Sequence, residues 1–287
     1  MEYLAALHPA ALYALVVVIG LLVGSFLNVV ILRYPARLIH DWKCQCRELL
    51  GVAQEDTRDE VPAGIASGRS CCPSCSRLIA WYDNIPVVSW LVLRGRCRKC
   101  GTAISMRYPV VELLTAILSI LVIWRLGPTA AGLAGLLLTW TLIAAAGIDL
   151  DHKLLPDQLT LPLLWLGLGL NVFGVFTDLE SAVIGAIAGY LVLWLVFHLF
   201  RLVTGKEGMG YGDFKLLATI GAWFGWQVLP TVILLASGVG AILGLGLIAL
   251  RKMGREVPIA FGPFLAAAGW LVLVGGDAIV DFWLLLS

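Results

Sequence analysis

The chain has 287 residues, of which 60% are hydrophobic and 14% charged, and its formal net charge is +1. Its apolar residues fall in uninterrupted runs about as long as a bilayer is thick, which excludes an ordinary soluble globule and predicts an integral membrane protein. A charge so close to balance gives no reason to expect a nucleic-acid partner.

In chain order the runs predict eight spans, at roughly 11–32, 110–125, 130–148, 158–176, 181–200, 214–229, 231–250 and 259–286. Runs this continuous argue for helices, because barrel strands would alternate apolar and polar over about ten residues. The stretch Met1 to Ala14 carries Glu2 but no Lys or Arg, and no small-residue cleavage pattern follows, so the first span reads as a retained helix rather than a signal peptide. Its downstream flank is basic, with Arg33, Arg37 and Lys43, which places that flank in the cytoplasm and the N-terminus outside. Threading eight spans from this start puts 33–109, 149–157, 201–213 and 251–258 in the cytoplasm. Of the 20 Lys and Arg residues, 19 then lie in or beside those segments and only Arg125 lies outside.

The expected architecture is an all-α polytopic membrane protein of about eight transmembrane helices, with a small cysteine-rich cytoplasmic insert between the first two. Its parts are a first transmembrane helix (1–32), the insert (33–109) and a seven-helix membrane domain (110–287). The insert holds 12 of the 20 basic and 7 of the 19 acidic residues, which marks a small domain rather than a linker. A domain of this size generally needs a staple to hold a fold.

All seven cysteines lie in that insert: Cys44, Cys46, Cys71, Cys72, Cys75, Cys97 and Cys100. Cys72-Pro73-Ser74-Cys75 and Cys97-Arg98-Lys99-Cys100 are two C-x-x-C turns, each of which directs two thiolates at one point. Together Cys72, Cys75, Cys97 and Cys100 complete a tetrahedral zinc-type site. Zinc bound this way contributes about 10–16 kcal/mol of apparent folding energy. Structural disulfides are disfavoured by the predicted cytoplasmic placement, where thiols stay reduced. Cys71 is an alternative to Cys72, although Cys72 has the right spacing. Cys44 and Cys46 read as spare thiols, because a C-x-C pair needs partners that the sequence does not supply.

Two carboxylates close apolar spans. Asp149 follows the small-residue run Ala144-Ala145-Ala146-Gly147, which lets another helix approach closely. Asp213 follows Gly208-Met209-Gly210-Tyr211-Gly212, whose alternate glycines leave the backbone open to a partner or substrate strand. For Asp213 a helix N-cap is the simpler alternative, and Asp151 and Asp157 read as a solvated loop or, for Asp157, a helix cap. Two converging carboxylates hold a single proton between them, and such a pair runs acid–base hydrolysis without a covalent intermediate. No better nucleophile offers itself: His152 reads as an interfacial residue, Ser25 lies in an apolar helix without a base nearby, and no G-x-S-x-G string occurs.

Further ordered motifs accompany these: Gly24-Ser25-Phe26-Leu27-Asn28 with Arg33-Tyr34-Pro35, Asn84-Ile85-Pro86-Val87-Val88-Ser89-Trp90, Arg107-Tyr108-Pro109-Val110-Val111-Glu112, Gly210-Tyr211-Gly212-Asp213-Phe214-Lys215 and Pro258-Ile259-Ala260-Phe261-Gly262-Pro263. In these the chain resembles the type IV prepilin peptidases, or leader peptidase/N-methyltransferases, over most of its length. The resemblance implies an inner-membrane aspartic protease of the GxGD type with Asp149 and Asp213 as its catalytic pair. It implies type IV prepilins and pseudopilins as substrates, cut after the glycine that ends a short basic leader. It also implies methylation of the new N-terminal residue, usually phenylalanine, by S-adenosylmethionine, an activity found in members with the two-knuckle cysteine domain.

For that cofactor the residues themselves say less. No G-x-G-x-x-G follows a strand, so a Rossmann-type site is not indicated. Glu112 can orient a substrate amine or the sulfonium, or serve as an interfacial anion balanced by Arg107. Gly95, between Arg94 and Arg96, reads as a turn residue that the resemblance ties to methylation. Asn28 is a polar group in an apolar span, suited to hydrogen bonding between helices. Alternatives of other kinds are a peptidase with a purely structural metal domain, and a scaffold or transporter whose buried carboxylates carry ions, although no inverted repeat is visible. A protein acyltransferase fails because the cysteines and Asp151-His152-Lys153 lie in different loops.

Overall fold

A computed structural model describes residues 8–51, 61–65, 68–206, 208–250 and 260–276, without the side chains of 247 and 248. The expected loop 251–258, with Arg251, Lys252, Arg255 and Pro258, and the end of the last expected span from 277 onward lie outside the described residues, as does Ile259. Among the described residues the chain is helical and has no strand, only isolated bridges at Cys71–Leu78 and Arg96–Ala103. The helices are α1 (Pro9–Leu49), α2 (Val88–Val92), α3 (Arg107–Leu126), α4 (Ala130–His152), α5 (Asp157–Asn171), α6 (Leu179–Thr204), α7 (Tyr211–Phe224), α8 (Leu229–Ala249) and α9 (Gly262–Gly275).

Each of the eight expected spans overlaps one of these helices, α2 being a short turn of the insert, although α7 ends at Phe224 rather than at the expected 229. Five stretches are long and apolar enough to cross a membrane: α1, α3, α4, α6 and Trp226–Gly246, which holds most of α8. The other three are shorter, with α5 at 15 residues and α7 and α9 at 14 each. The first helix runs well past the expected end at residue 32, covering 41 residues with Pro35 inside it. Ala36 to Leu49 contains no further proline and no glycine, so nothing local stops the helix once the apolar run ends. Arg37 and Asp41 pair at 3.6 Å along this polar half.

The chain divides into two compact units, one of residues 6–120 and one built on residues 121–287. In the first, α1 and the start of α3 meet backbone to backbone. A Cβ at Gly20 would lie 2.7 Å from the Ala116 Cα, and one at Gly24 would lie 2.6 Å from the Glu112 Cα. Small residues permit such an approach where lipid-like surroundings offer no hydrophobic drive between helices.

In the second unit α7 is the central helix, buried at every residue from Leu216 to Trp223. Gly185 of α6 and Gly221 of α7 leave each other no room for a side chain, and a Cβ at Gly189 would lie 2.7 Å from the Leu217 carbonyl oxygen. Gly167 of α5 gives way to the Trp223 ring, whose Nε1 donates to the Leu163 carbonyl at 2.8 Å. Asn171 explains why α5 stops short of the expected 176. Its Nδ2 donates to the last carbonyls of α7, Ala222 and Trp223, at 2.9 Å each, and its Oδ1 accepts from the Phe176 and Thr177 amides. The outer face of α6 stays apolar and exposed at Leu191, Leu195, Val196 and Leu199. The Gly185–Gly221 crossing leads to a stability prediction. Gly221→Val should destabilise the detergent-solubilised protein by about 3 kcal/mol or more, since backbone cannot move aside as a side chain can. Gly169→Val, where a Cβ meets open space, should leave the thermal midpoint in place.

Candidate active site and metal centre

Asp149 lies in the last turn of α4 and Asp213 in the first turn of α7, and both are only 6% exposed. The Asp149 Oδ2 accepts the Gly262 amide at 3.0 Å, from the start of α9, where the first amides have no partner within the helix. A Cβ at Gly262 would sit 2.7 Å from that same oxygen, so glycine is what admits the carboxylate. Asp213 accepts the Gly210 amide at 3.3 Å through Oδ2, closing the helix start. The N-cap of α7 is Gly210 rather than Asp213, which sits inside the helix at its third position and reaches back to the cap with one of its oxygens. The other, Oδ1, is buried with no hydrogen-bond partner, a condition that costs about 1–3 kcal/mol or more for a charged group.

Leu155 links the two carboxylate-bearing ends. It packs against Gly212, where a Cβ would lie 2.6 Å from its own, and against Gly262, where a Cβ would lie 3.0 Å from its Cδ1. The charge of Asp149 acts on Asp213 across this corner. Neighbouring acids take ordinary roles: Asp157 is an exposed residue in the first turn of α5 and pairs with Lys215 at 2.5 Å, and Asp151 is exposed. The N-cap of α5 is Pro156, so Asp157 is inside the helix rather than capping it. Gly262 is the site residue that sequence reasoning left unassigned, visible there only as part of the Phe261-Gly262-Pro263 motif.

In the insert the sulfurs of Cys72, Cys75, Cys97 and Cys100 all lie within 4.8 Å of one another. Each pair sits on a turn of the same design. The Ser76 amide donates to the Cys72 carbonyl and the Gly101 amide to the Cys97 carbonyl, with positive φ of 52° at Ser76 and 71° at Gly101. The thiols are unlike in acidity. Hydrogen bonding from the Thr102 side chain and backbone brings Cys100 down to about 6, and backbone hydrogen bonds from Cys100 and Lys99 lower Cys97. Cys75 is pushed up to about 11: the Arg77 backbone bond lowers it, but desolvation and the neighbouring thiols outweigh that. Crowded thiols cannot all ionise together, and a divalent cation at their centre removes the conflict, so this donor set can hold a metal ion. Cys71, Cys44 and Cys46 are exposed and outside the cluster. Beside it Arg98 grips both oxygens of Asp83, at 2.7 and 2.9 Å, and this pairing raises the Arg98 pKa.

Within residues 6–120 lies a cavity of about 840 Å³ lined by residues including Ser25, Asn28, Val87, Trp90 and Glu112. Glu112 is 6% exposed and accepts the Val87 amide at 2.7 Å. Gly95 stands behind this wall. Its φ is +64°, and a Cβ would lie 2.8 Å from the Trp90 ring, so it sets the position of a lining residue without lining the cavity itself.

Two family descriptions together cover about three quarters of the chain. Residues 18–126 match the Bacterial Peptidase A24 N-terminal domain, and residues 136–245 match the Type IV leader peptidase family. Curated relatives extend the match end to end. The prepilin leader peptidase/N-methyltransferase of Aeromonas hydrophila is 55% identical over 96% of this chain and 95% of its own length. Those of Stutzerimonas stutzeri and Pseudomonas aeruginosa are each 53% identical over 99% of this chain and 97% of their own lengths. No solved structure matches the chain. With the two domains in order and identities above half along the full length, the chain belongs to the type IV leader peptidase family.

Proposed function

We propose that this chain is a bifunctional inner-membrane enzyme that cuts the basic leader from type IV prepilins and pseudopilins after a glycine, then methylates the new N-terminal amine. Asp149 and Asp213 are the catalytic pair. One carboxylate takes a proton from the attacking water while the other, protonated, donates to the scissile carbonyl oxygen. The tetrahedral intermediate collapses as the leaving amine receives a proton from the same pair. The observation that carries this reading is the orphaned Oδ1 of buried Asp213 beside Asp149, an acceptor left open where a water or substrate N–H belongs.

Zinc held by Cys72, Cys75, Cys97 and Cys100 orders the insert. Bound S-adenosylmethionine supplies the methyl group. The buried carboxylate of Glu112 in the cavity suits a cationic ligand, and Gly95 acts on that cavity through Trp90. The basic flanks of the spans put the carboxylate pair, the metal site and the substrate leader on the cytoplasmic side, with the N-terminus in the periplasm. Exposed apolar faces such as that of α6 are covered by lipid.

The test is an assay of the purified protein with one prepilin, with and without S-adenosylmethionine, read by mass spectrometry. The expected products are a pilin lacking its leader in both reactions and one carrying an added methyl group only with the cofactor. An uncut prepilin would sink the reading, and cutting without methylation would reduce it to a peptidase with a structural metal domain.

A further inference from the structure

The cavity in residues 6–120 contains an acceptor that the fold leaves unused. Asn28 is 2% exposed, and its orientation is fixed because Nδ2 donates to two carbonyls, Gly24 at 3.3 Å and Tyr108 at 3.1 Å. Its Oδ1 is buried with no donor. Buried amide oxygens are paired in the great majority of cases, so this one is an outlier calling for a ligand. Ser25, one helical turn away on the same face of α1, lines the cavity together with Asn28 and Glu112. The Val87 amide that donates to Glu112 is neutral, and no ion pair to this buried carboxylate is found among the described residues. Four basic residues, Arg33, Arg77, Arg98 and Lys99, line the cavity, and two of them are engaged with groups other than Glu112. Arg98 is bound to Asp83, and Arg33 donates to the carbonyls of Gly64, Gly68 and Arg69. Leu22, Phe26, Ile85 and Trp90 give the remaining wall an apolar character.

We propose that this cavity is the receptor for the free N-terminal amine of the processed chain, with Glu112 as counter-charge, Asn28 Oδ1 as acceptor of an ammonium N–H, and the apolar wall holding the first side chain. The assignment rests on the methyl-transfer reading above and gives that activity its acceptor site. A sulfonium has no N–H to offer Asn28, whereas an α-ammonium has three. A methyl donor that carries its own α-ammonium shares this chemistry, so the test separates the two.

Full-length protein in detergent is titrated with a peptide beginning with a free phenylalanine, with the same peptide N-acetylated, and with S-adenosylmethionine, alongside methyl-transfer kinetics. Wild type should prefer the free amine. Glu112→Gln, which keeps an oxygen for the Val87 amide, and Asn28→Leu should each weaken the free peptide about tenfold or more while leaving the acetylated peptide and S-adenosylmethionine unchanged. Equal weakening of free and acetylated peptides would mean a structural role and overturn the proposal. Weakening confined to S-adenosylmethionine would overturn it in favour of the donor's own ammonium. Methyl transfer with the free-amine preference intact in both variants overturns this proposal alone, whereas absence of any transfer by wild type removes the methyltransferase reading as well.

Discussion

Asp213→Asn is expected to lower prepilin cleavage by about a thousandfold or more, within the range that positioned acid–base groups contribute. The substitution is nearly isosteric, and an asparagine oxygen still accepts the Gly210 amide that closes α7, so the fold should persist while the chemistry stops. Asp149→Asn should do the same, because its amide oxygen still accepts from Gly262. If the two act as one unit, the double variant will be no slower than either single variant, since removing either member already disables the pair. Asp157→Asn is the contrasting case. Its partner Lys215 meets it at an exposed position, and exposed ion pairs contribute little, so its cleavage rate should stay within about twofold of wild type. Cleavage at full rate by either Asp149→Asn or Asp213→Asn would remove the pair from the mechanism.

The second large effect is on the metal centre. Elemental analysis should find one zinc per chain, lost on prolonged treatment with a strong chelator and absent from Cys97→Ser/Cys100→Ser. Loss of the ion should open the insert to limited proteolysis, because two knuckle turns with isolated bridges at Cys71–Leu78 and Arg96–Ala103 supply few other long-range constraints. The pH dependence has a definite sign. Binding requires thiolates, and Cys75 in particular holds its proton up to about 11 in the metal-free cluster, so the ion must displace protons on entry. Retention is therefore complete at alkaline pH and falls as the pH is lowered, with Cys100, at about 6, the last thiolate to take up a proton. Full zinc content in the double serine variant would exclude this site.

Much of this was legible in the sequence because the signals are local. Apolar runs located eight helices, and two C-x-x-C turns named four sulfurs that the fold brings within 4.8 Å. The carboxylates were legible as residues at span ends, but their surroundings were not. The orphaned Oδ1 of Asp213 is a property of atoms around it, not of its place in the G-x-G-D string. Likewise Asn171 ends α5 by capping α7, a partner more than fifty residues on, so no propensity within α5 foretold the boundary. The length of α1 was missed for the opposite reason: a fall in hydropathy marks the end of a membrane span and is no signal for the end of a helix.

By itself, then, the sequence determined the helical class and the location of the spans, and it singled out the four cysteines that cluster and the two acids at span ends, since each depends on periodicity or on spacing within a few residues. Only the tertiary structure decided that Gly262 donates to Asp149, that Leu155 packs against both Gly212 and Gly262, and that Ser25 and Asn28 share a cavity with Glu112. Those facts depend on helices distant in sequence meeting through glycine-lined contacts, and which glycines face which neighbours is settled by packing alone.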